Sequence, residues 1–328
     1  MSAGGMIAQL GIVTPVLDDW ESLAILLRGI DSQLHGVTAH VFVVDDGSRA
    51  AFDPASLNLD RAGAIGAISI IRLAANVGHQ RAIAIGLIEA ARRDELDGVV
   101  VLDSDGEDRP EDIPRLLAAA AANPGAIILA QRAKRSENWR FRLAYRAYKA
   151  VFHLATGRMI DFGNFSLLPI GAVRRLIHMS ELWNNLAATV MRSRIPVRSV
   201  PTDRGHRYAG QSRMNMAGLV THGLSAMSVY TDVIFVRLLA ATAALATLSI
   251  VGIAVTAAIR LFTTLATPGW ATNVVGNLLV LLLQTVVIVA ASALMLLAGR
   301  SNRQIVPAVD AASYVAEITR VALPALRC

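Results

Sequence analysis

A chain of 328 residues with 54% hydrophobic and 17% charged residues, and a mean hydropathy of +0.48, is too apolar for an ordinary soluble domain, where about a quarter is charged. The 31 basic against 25 acidic residues leave +6, nearly all of it arginine because Lys134 and Lys149 are the only lysines; arginine's planar fork suits phosphate and carboxylate partners. One cysteine, Cys328, excludes a disulfide scaffold, a cysteine-rich zinc site and a core cysteine nucleophile, and the composition excludes disorder and fibrous repeats, leaving one folded domain and a membrane part.

Met1 to Gln9 has no basic start and no long apolar run, so no cleaved signal peptide is expected. From there to residue 131, short β-branched runs alternate with helical patterns. Ile7–Thr14, Ala39–Asp45, Ile68–Leu73, Gly98–Asp103 and Ala126–Gln131 read as buried strands. Glu21–Gln33, His79–Arg93 and Glu111–Ala122 carry apolar residues at helical spacing, the last entered through Arg109-Pro110. This alternation predicts an α/β fold with a mostly parallel sheet covered on both faces, with ligands at the carboxyl ends of its strands. Asp45-Asp46-Gly47-Ser48 and Asp103-Ser104-Asp105-Gly106-Glu107-Asp108 both fall at such ends.

Farther along, Asn138–Leu154 sets Phe141, Tyr145, Tyr148 and Phe152 beside a stripe of Arg142, Arg146 and Lys149. The pattern predicts a helix over about 138–156, lying on an anionic membrane surface or packed on a core with a solvated basic side. Met216–Val236, apolar with few charges, is expected to approach the membrane and feed the first span. Leu238–Ile259 and Val274–Ala298 run 22 and 25 residues without a charge, where a spanning helix needs about 20. Arg300, Arg303 and the basic region before Arg237 make the side shared by both ends cytoplasmic, which places the chain in the inner (cytoplasmic) membrane as a multi-pass protein. The expected organisation is a cytosolic α/β domain over 1–212, a juxtamembrane helix over 213–237, a two-span hairpin over 238–298 and a cytoplasmic tail over 299–328, in which Ser313–Ile318 is strand-like in composition.

No G-x-G-x-x-G, P-loop, H-E-x-x-H or G-x-S-x-G sequence occurs, which argues against dinucleotide-cofactor, P-loop, zincin and serine-hydrolase chemistry. No nucleic-acid module is visible, and phosphates with anionic lipid account better for the charge. The seven histidines are scattered. Asp103 and Asp105, two apart on a tight turn after an apolar strand, are hard oxygen donors of the kind that hold Mg²⁺ or Mn²⁺ together with substrate phosphates; as D-x-D alone they could equally mark a polar turn.

Taken in order, Ile12-Val13-Thr14-Pro15, Val43-Val44-Asp45-Asp46-Gly47-Ser48, Asn76-Val77-Gly78-His79-Gln80-Arg81-Ala82, Leu102-Asp103-Ser104-Asp105, Pro110-Glu111-Asp112-Ile113-Pro114, Asp161-Phe162-Gly163-Asn164-Phe165 and Arg207-Tyr208-Ala209-Gly210-Gln211-Ser212-Arg213 resemble the motifs of family 2 glycosyltransferases of GT-A fold. Within that family the chain is similar to the membrane-anchored polyprenyl-phosphate group, the dolichol-phosphate mannose synthase type and its bacterial glucosyl relatives, over about residues 7–300. The resemblance implies inverting, metal-dependent transfer of a single sugar from a UDP- or GDP-linked donor to a polyprenyl (undecaprenyl) phosphate, with Mg²⁺ or Mn²⁺ as cofactor and a homo-oligomer formed partly through the tail. It implies that Pro15, Asp18 and Asp46 contact the nucleoside. Asp103 and Asp105 would hold the metal on the diphosphate, and Glu107 stands where dolichol-type enzymes carry a metal-ligating glutamine. Arg132, Arg207, Ser212 and Arg213 would grip phosphates, and Asp161 would act near the acceptor as base or orienter. Pro15-Val16-Leu17-Asp18-Asp19 and Phe165-Ser166-Leu167 depart from the family's P-x-Y-N-E and F-R-L. Transfer to a hydroxyl of a lipid or polysaccharide, or a non-catalytic subunit binding nucleotide-sugar or lipid, are the alternative readings.

Overall fold

The computed structural model describes residues 7–50, 52–53, 63–132, 149–158, 162–209, 216–264, 267–301 and 304–321. Among these residues eight strands form one sheet: β1 (Gln9–Val16), β2 (Thr38–Asp45), β3 (Ile65–Leu73), β4 (Gly98–Val101), β5 (Ile127–Arg132), β6 (Ser166–Pro169), β7 (Val197–Thr202) and β8 (Val315–Val321). Their spatial order is β7-β5-β6-β4-β1-β2-β3-β8. β1 pairs in parallel with β2 and β4, β2 with β3, and β5 with β7, whereas β6 and β8 run antiparallel to their neighbours. The mostly parallel sheet expected from the strand–helix alternation is the one found.

The central strands read as continuous apolar runs because both faces are covered. On one face Val13, Phe42, Val44, Val99 and Val101 pack against α2 (His79–Ala91) and, beyond it, α5 (Ile170–Leu176) and α6 (Leu186–Arg192). On the other, Leu10, Ile12, Val41, Val43 and Val100 meet Leu23, Leu26 and Leu27 of α1 (Trp20–Gln33) and Ile113 and Leu116 of α3 (Ile113–Ala122). Asn185 starts α6 by accepting the Ala188 amide on its side chain at 2.9 Å, an N-cap of the usual kind.

The chain divides into two compact units. The sheet-bearing unit also takes in α7 (Met216–Ser228) and the segment after the membrane-length helices. There α10 (Pro307–Asp310) and the turn Ala311–Tyr314 lay Tyr314 against Trp183, ring centroids 5.1 Å apart, before β8 pairs with β3 from Ile68↔Val321 to Leu73↔Val315. The strand-like stretch expected in the tail is thus an edge of the sheet itself.

The second unit holds the helix 149–156, here α4, with α8 (Thr231–Phe262) and α9 (Trp270–Ser301). Among the described residues two segments, Thr231–Phe262 and Trp270–Gly299, are long and apolar enough to cross a membrane, with mean hydropathies of 2.3 and 2.6 over an 18-residue stretch of each. At 1.5 Å per residue α8 is about 48 Å long, more than the roughly 30 Å of hydrocarbon requires. Thr242, Ser249 and Thr256, seven apart, are buried on α8 and donate to the carbonyls of Leu238, Leu245 and Gly252, so no hydroxyl of that seam is left for lipid to satisfy. Arg237 near the start of α8 donates to the carbonyls of His153 (3.3 Å) and Leu154 (2.6 Å), capping the carboxyl end of α4 with a cation where the helix dipole favours one. Of the helix expected over 138–156, residues 138–148 lie outside the described residues. The approach to the first span is not continuous either: α7 stops at Ser228 and α8 starts at Thr231, with Arg192 donating to the Val229 carbonyl at 2.9 Å between them. A side-chain bond to a carbonyl 37 residues away leaves no apolar periodicity in the sequence.

Candidate active site

The site is built at the carboxyl edge of the sheet. The parallel register sets Pro15 opposite Val44 and Val16 opposite Asp45, and the Asp46 amide donates to the Val16 carbonyl at 2.9 Å. Asp45 then caps the Ser48 amide at 2.8 Å, and Gly47, at φ +81°, turns the chain so closely past residue 76 that a Cβ would stand 2.8 Å from the Asn76 nitrogen. Only glycine meets both demands. Ser48 Oγ accepts the Asp18 amide, while Asp18, itself at φ +50°, accepts the Arg49 amide (2.8 Å) and Arg49 Nε (3.0 Å). Asp46 is buried, and its carboxylate takes the amides of Val77 (2.8 Å) and Gly78 (3.1 and 3.3 Å to its two oxygens). Burial pushes its pKa up, and the two amides only partly offset that. Asp46 therefore fixes the segment that starts α2.

That segment carries His79, whose Nε2 lies 3.2 Å from Oδ1 of Asp103 at the end of β4. Burial pulls the imidazole pKa down, but Asp103, as charge and hydrogen-bond acceptor, with Asp46 and Asp108 behind it, outweighs burial and leaves it above the ordinary value. The Asn164 amide nitrogen stands 3.0 Å from the same ring nitrogen; Gln80 donates to Asn164 Oδ1 at 3.0 Å and accepts the Leu186 amide at 2.8 Å. His79, Gln80 and Asn164 thus tie the ends of β4 and α2 to the approach to β6 and the start of α6. As a lone histidine His79 carries no signal in the sequence; what marks it is its place at the first position of a helix entered through Gly78, opposite a strand end.

The second acidic loop is locked from within: Asp108 Oδ2 accepts the Asp103 amide at 3.0 Å, and Asp105 Oδ1 accepts the Glu107 amide at 2.9 Å. Across it runs the 203–208 segment. The Tyr208 amide donates to the Asp105 carbonyl (3.0 Å) and the Gly205 amide to the Glu107 carbonyl (2.9 Å). Gly106, at φ +90°, passes so near this strap that a Cβ would meet the His206 carbonyl and the Tyr208 ring, both at 2.8 Å. Arg207 Nη2 donates to Asp105 Oδ2, and Arg204 Nη2 to Glu107 Oε1 at 2.6 Å. Arg204 is a further site residue that motif reading did not single out; its only trace is the three-residue step to Arg207.

Asp103, Asp105, Glu107 and Arg207 are therefore brought together, while Pro15, Asp18 and Asp46 line the neighbouring strand ends. Arg132 ends β5. Asp161, Ser212 and Arg213 lie outside the described residues. Among the described residues no three His, Cys, Asp or Glu side chains already converge as a cation cage. Two carboxylates from one tight loop suit instead a hard divalent ion that completes its shell with substrate phosphate oxygens and water.

Residues 11–179 match the profile of glycosyl transferase family 2. The chain belongs to that family of glycosyltransferases. Among curated relatives it is similar to the undecaprenyl-phosphate 4-deoxy-4-formamido-L-arabinose transferase of Sodalis glossinidius, at 30% identity over 222 residues, 65% of each chain. It is also similar to the transferase of the same name from Proteus mirabilis, at 34% over 169 residues, 50% of this chain and 49% of the relative. The match spans less than two thirds of these relatives' length. Among solved structures it is similar to glucosyl-3-phosphoglycerate synthase from Mycobacterium tuberculosis, at 14% identity and a TM-score of 0.48, covering 71% of this chain and 80% of that one.

Proposed function

We infer that the protein transfers one sugar, with inversion, from a nucleotide sugar to a polyprenyl phosphate at the cytoplasmic face of the inner membrane. The observation that carries this reading is the meeting of two strand-end carboxylate clusters and an arginine strap at one sheet edge, in a chain that also carries two membrane-length helices. The relatives' names, which specify undecaprenyl phosphate, support the acceptor.

In this reading Pro15, Asp18 and Asp46 border the nucleoside of a UDP- or GDP-linked donor. A bound Mg²⁺ or Mn²⁺, held by Asp103 and Asp105 with Glu107 behind, would supply charge neutralisation for the leaving diphosphate. The acceptor phosphate is already an anion at pH 7, so the chain's chief work is to hold it in line with the anomeric carbon and to shield two negative groups from each other. Arg132, Arg207, Ser212 and Arg213 supply donors for that task, and Asp161 orients the acceptor or takes its residual proton. A homo-oligomer belongs to the same reading.

The test uses the full chain in liposomes with Mn²⁺ or Mg²⁺, undecaprenyl phosphate and a panel of labelled nucleotide sugars. Chelator-sensitive label in the lipid fraction is expected from one donor. Folded protein that labels lipid from none of them overturns the reading and moves the weight to a hydroxyl acceptor or a binding role.

A further inference from the structure

Both oxygens of Asp105 are engaged by the protein itself, Oδ1 by the Glu107 amide at 2.9 Å and Oδ2 by Arg207. Arg207 Nε also lies 3.6 Å from Glu107 Oε1, the oxygen that accepts Arg204. Two guanidinium groups thus cover the carboxylate face that a divalent cation would need. The contact is held in place by the backbone bonds Tyr208–Asp105 and Gly205–Glu107 and by the absence of a side chain at Gly106. The ion pairs are also sheltered, the Asp105 and Glu107 side chains being 17% exposed.

Resting on the glycosyl-transfer reading above, we propose that Arg207 is an exchangeable counter-ion. It neutralises Asp105 until a divalent cation takes that carboxylate, and the displaced guanidinium then turns its charge to the phosphate of the acceptor. The physical case is one of charge balance. Asp103, Asp105, Glu107 and Asp108 crowd four carboxylates into six residues, so some cation must stand among them. A divalent ion brings two charges where Arg207 brings one. The guanidinium cannot shed its proton, and its planar fork matches phosphate as well as carboxylate. Arg204 stays on Glu107 and keeps the strap docked, so the exchange needs a side-chain swing and no movement of the sheet.

The exchange makes cation binding and phosphate binding help each other, and by linkage the help is reciprocal. In wild-type protein, saturating undecaprenyl phosphate is expected to tighten Mn²⁺ binding about fivefold or more, a size typical of such coupling. Arg207→Gln removes the competitor: the nucleotide-free full chain in detergent should bind Mn²⁺ several-fold tighter than wild type, read by the electron paramagnetic resonance of free Mn²⁺, and the effect of undecaprenyl phosphate should vanish. Arg207→Lys, which keeps the charge and loses the fork, should give a smaller gain and decides the matter if the glutamine variant does not fold. Unchanged or weaker Mn²⁺ binding in the folded variants overturns the exchange alone. If wild-type protein binds no Mn²⁺ even with UDP-glucose or GDP-mannose present, metal-dependent transfer falls and the exchange falls with it.

Discussion

His79 Nε2 and Asp103 Oδ1 stand 3.2 Å apart, joining the first turn of α2 to the end of β4. Burial lowers the imidazole pKa, but that carboxylate outweighs it and raises the pKa above the ordinary value, so the two groups hold each other and His79 aims Asp103. The pair is part-exposed, so its loss costs about 1 kcal/mol, and 1.4 kcal/mol is tenfold. His79→Ala is therefore expected to lower kcat/KM roughly fivefold with the fold intact. Steady-state kinetics beside a melting curve checks this; wild-type kinetics in the variant would show that Asp103 is aimed by other means.

Asp46 is the corresponding fixture on the β2 side. Its removal strands the half-buried Val77 and Gly78 amides, at about 1 kcal/mol for donors left unpaired. Asp46→Ala should lower the thermal midpoint and weaken nucleotide binding together, whereas Asp46→Asn, which keeps an acceptor oxygen, should lose less of both. Equal losses in the two variants would assign Asp46 a direct charge contact instead.

Stability should also depend on pH through His40, far from the site. On β2, its ring stacks on Phe42 with centroids 4.2 Å apart and Nε2 lies 2.9 Å from Ser69 Oγ. Burial, then Arg93 and Arg320 against the opposing pull of Glu95, lowers its pKa to about 4. In the unfolded chain it titrates near 6.5. Between those values the unfolded chain binds a proton that the folded one refuses, so this contribution is complete above about pH 6.5, declines as pH falls and levels off near 4. Allowing for partial exposure, the loss is about 1 kcal/mol at pH 5. Melting curves from pH 7.5 to 4.5 should slope less for His40→Gln than for wild type; parallel slopes would refute it.

The strand after the membrane-length helices carries a fourth expectation. A chain ending at Gln304 loses α10, β8 and the Tyr314–Trp183 contact, and bares the β3 edge. Its midpoint should fall by at least ~5 °C, since each kcal/mol moves a domain of this size by roughly 2–4 °C, and it should aggregate on heating. An unchanged midpoint would make β8 a decoration rather than part of the fold.

How far the sequence could be read follows from where its signals are strong. β1 to β5 announce themselves because strands covered on both faces must be apolar throughout, and the acidic loops follow directly from their ends. β6 is only Ser166–Pro169, too short for a period to show, and β7 carries Arg198 and Pro201 within an edge strand, against strand composition. The site was legible as carboxylates but not as a circuit. Glu107 reads as a metal ligand in a motif, yet its carboxylate is held by Arg204, nearly a hundred residues on, through a long-range pairing that no local pattern encodes. His79, on a helix, was hidden likewise, since its partner lies 24 residues on, just past the end of a strand.

The β3–β8 pairing finally sets an order of events during synthesis. β3 is finished by Leu73, but its partner begins at Val315, after both long apolar helices have emerged. Until then the outer edge of a strand containing Ile68, Ile70 and Ile71 offers unpaired amides to any passing chain. If the two helices enter lipid as the proposed hairpin, the sheet closes only after that insertion. In that reading insertion and completion of the sheet are a single assembly step, and a hairpin inserted the wrong way round would leave its own sheet unfinished.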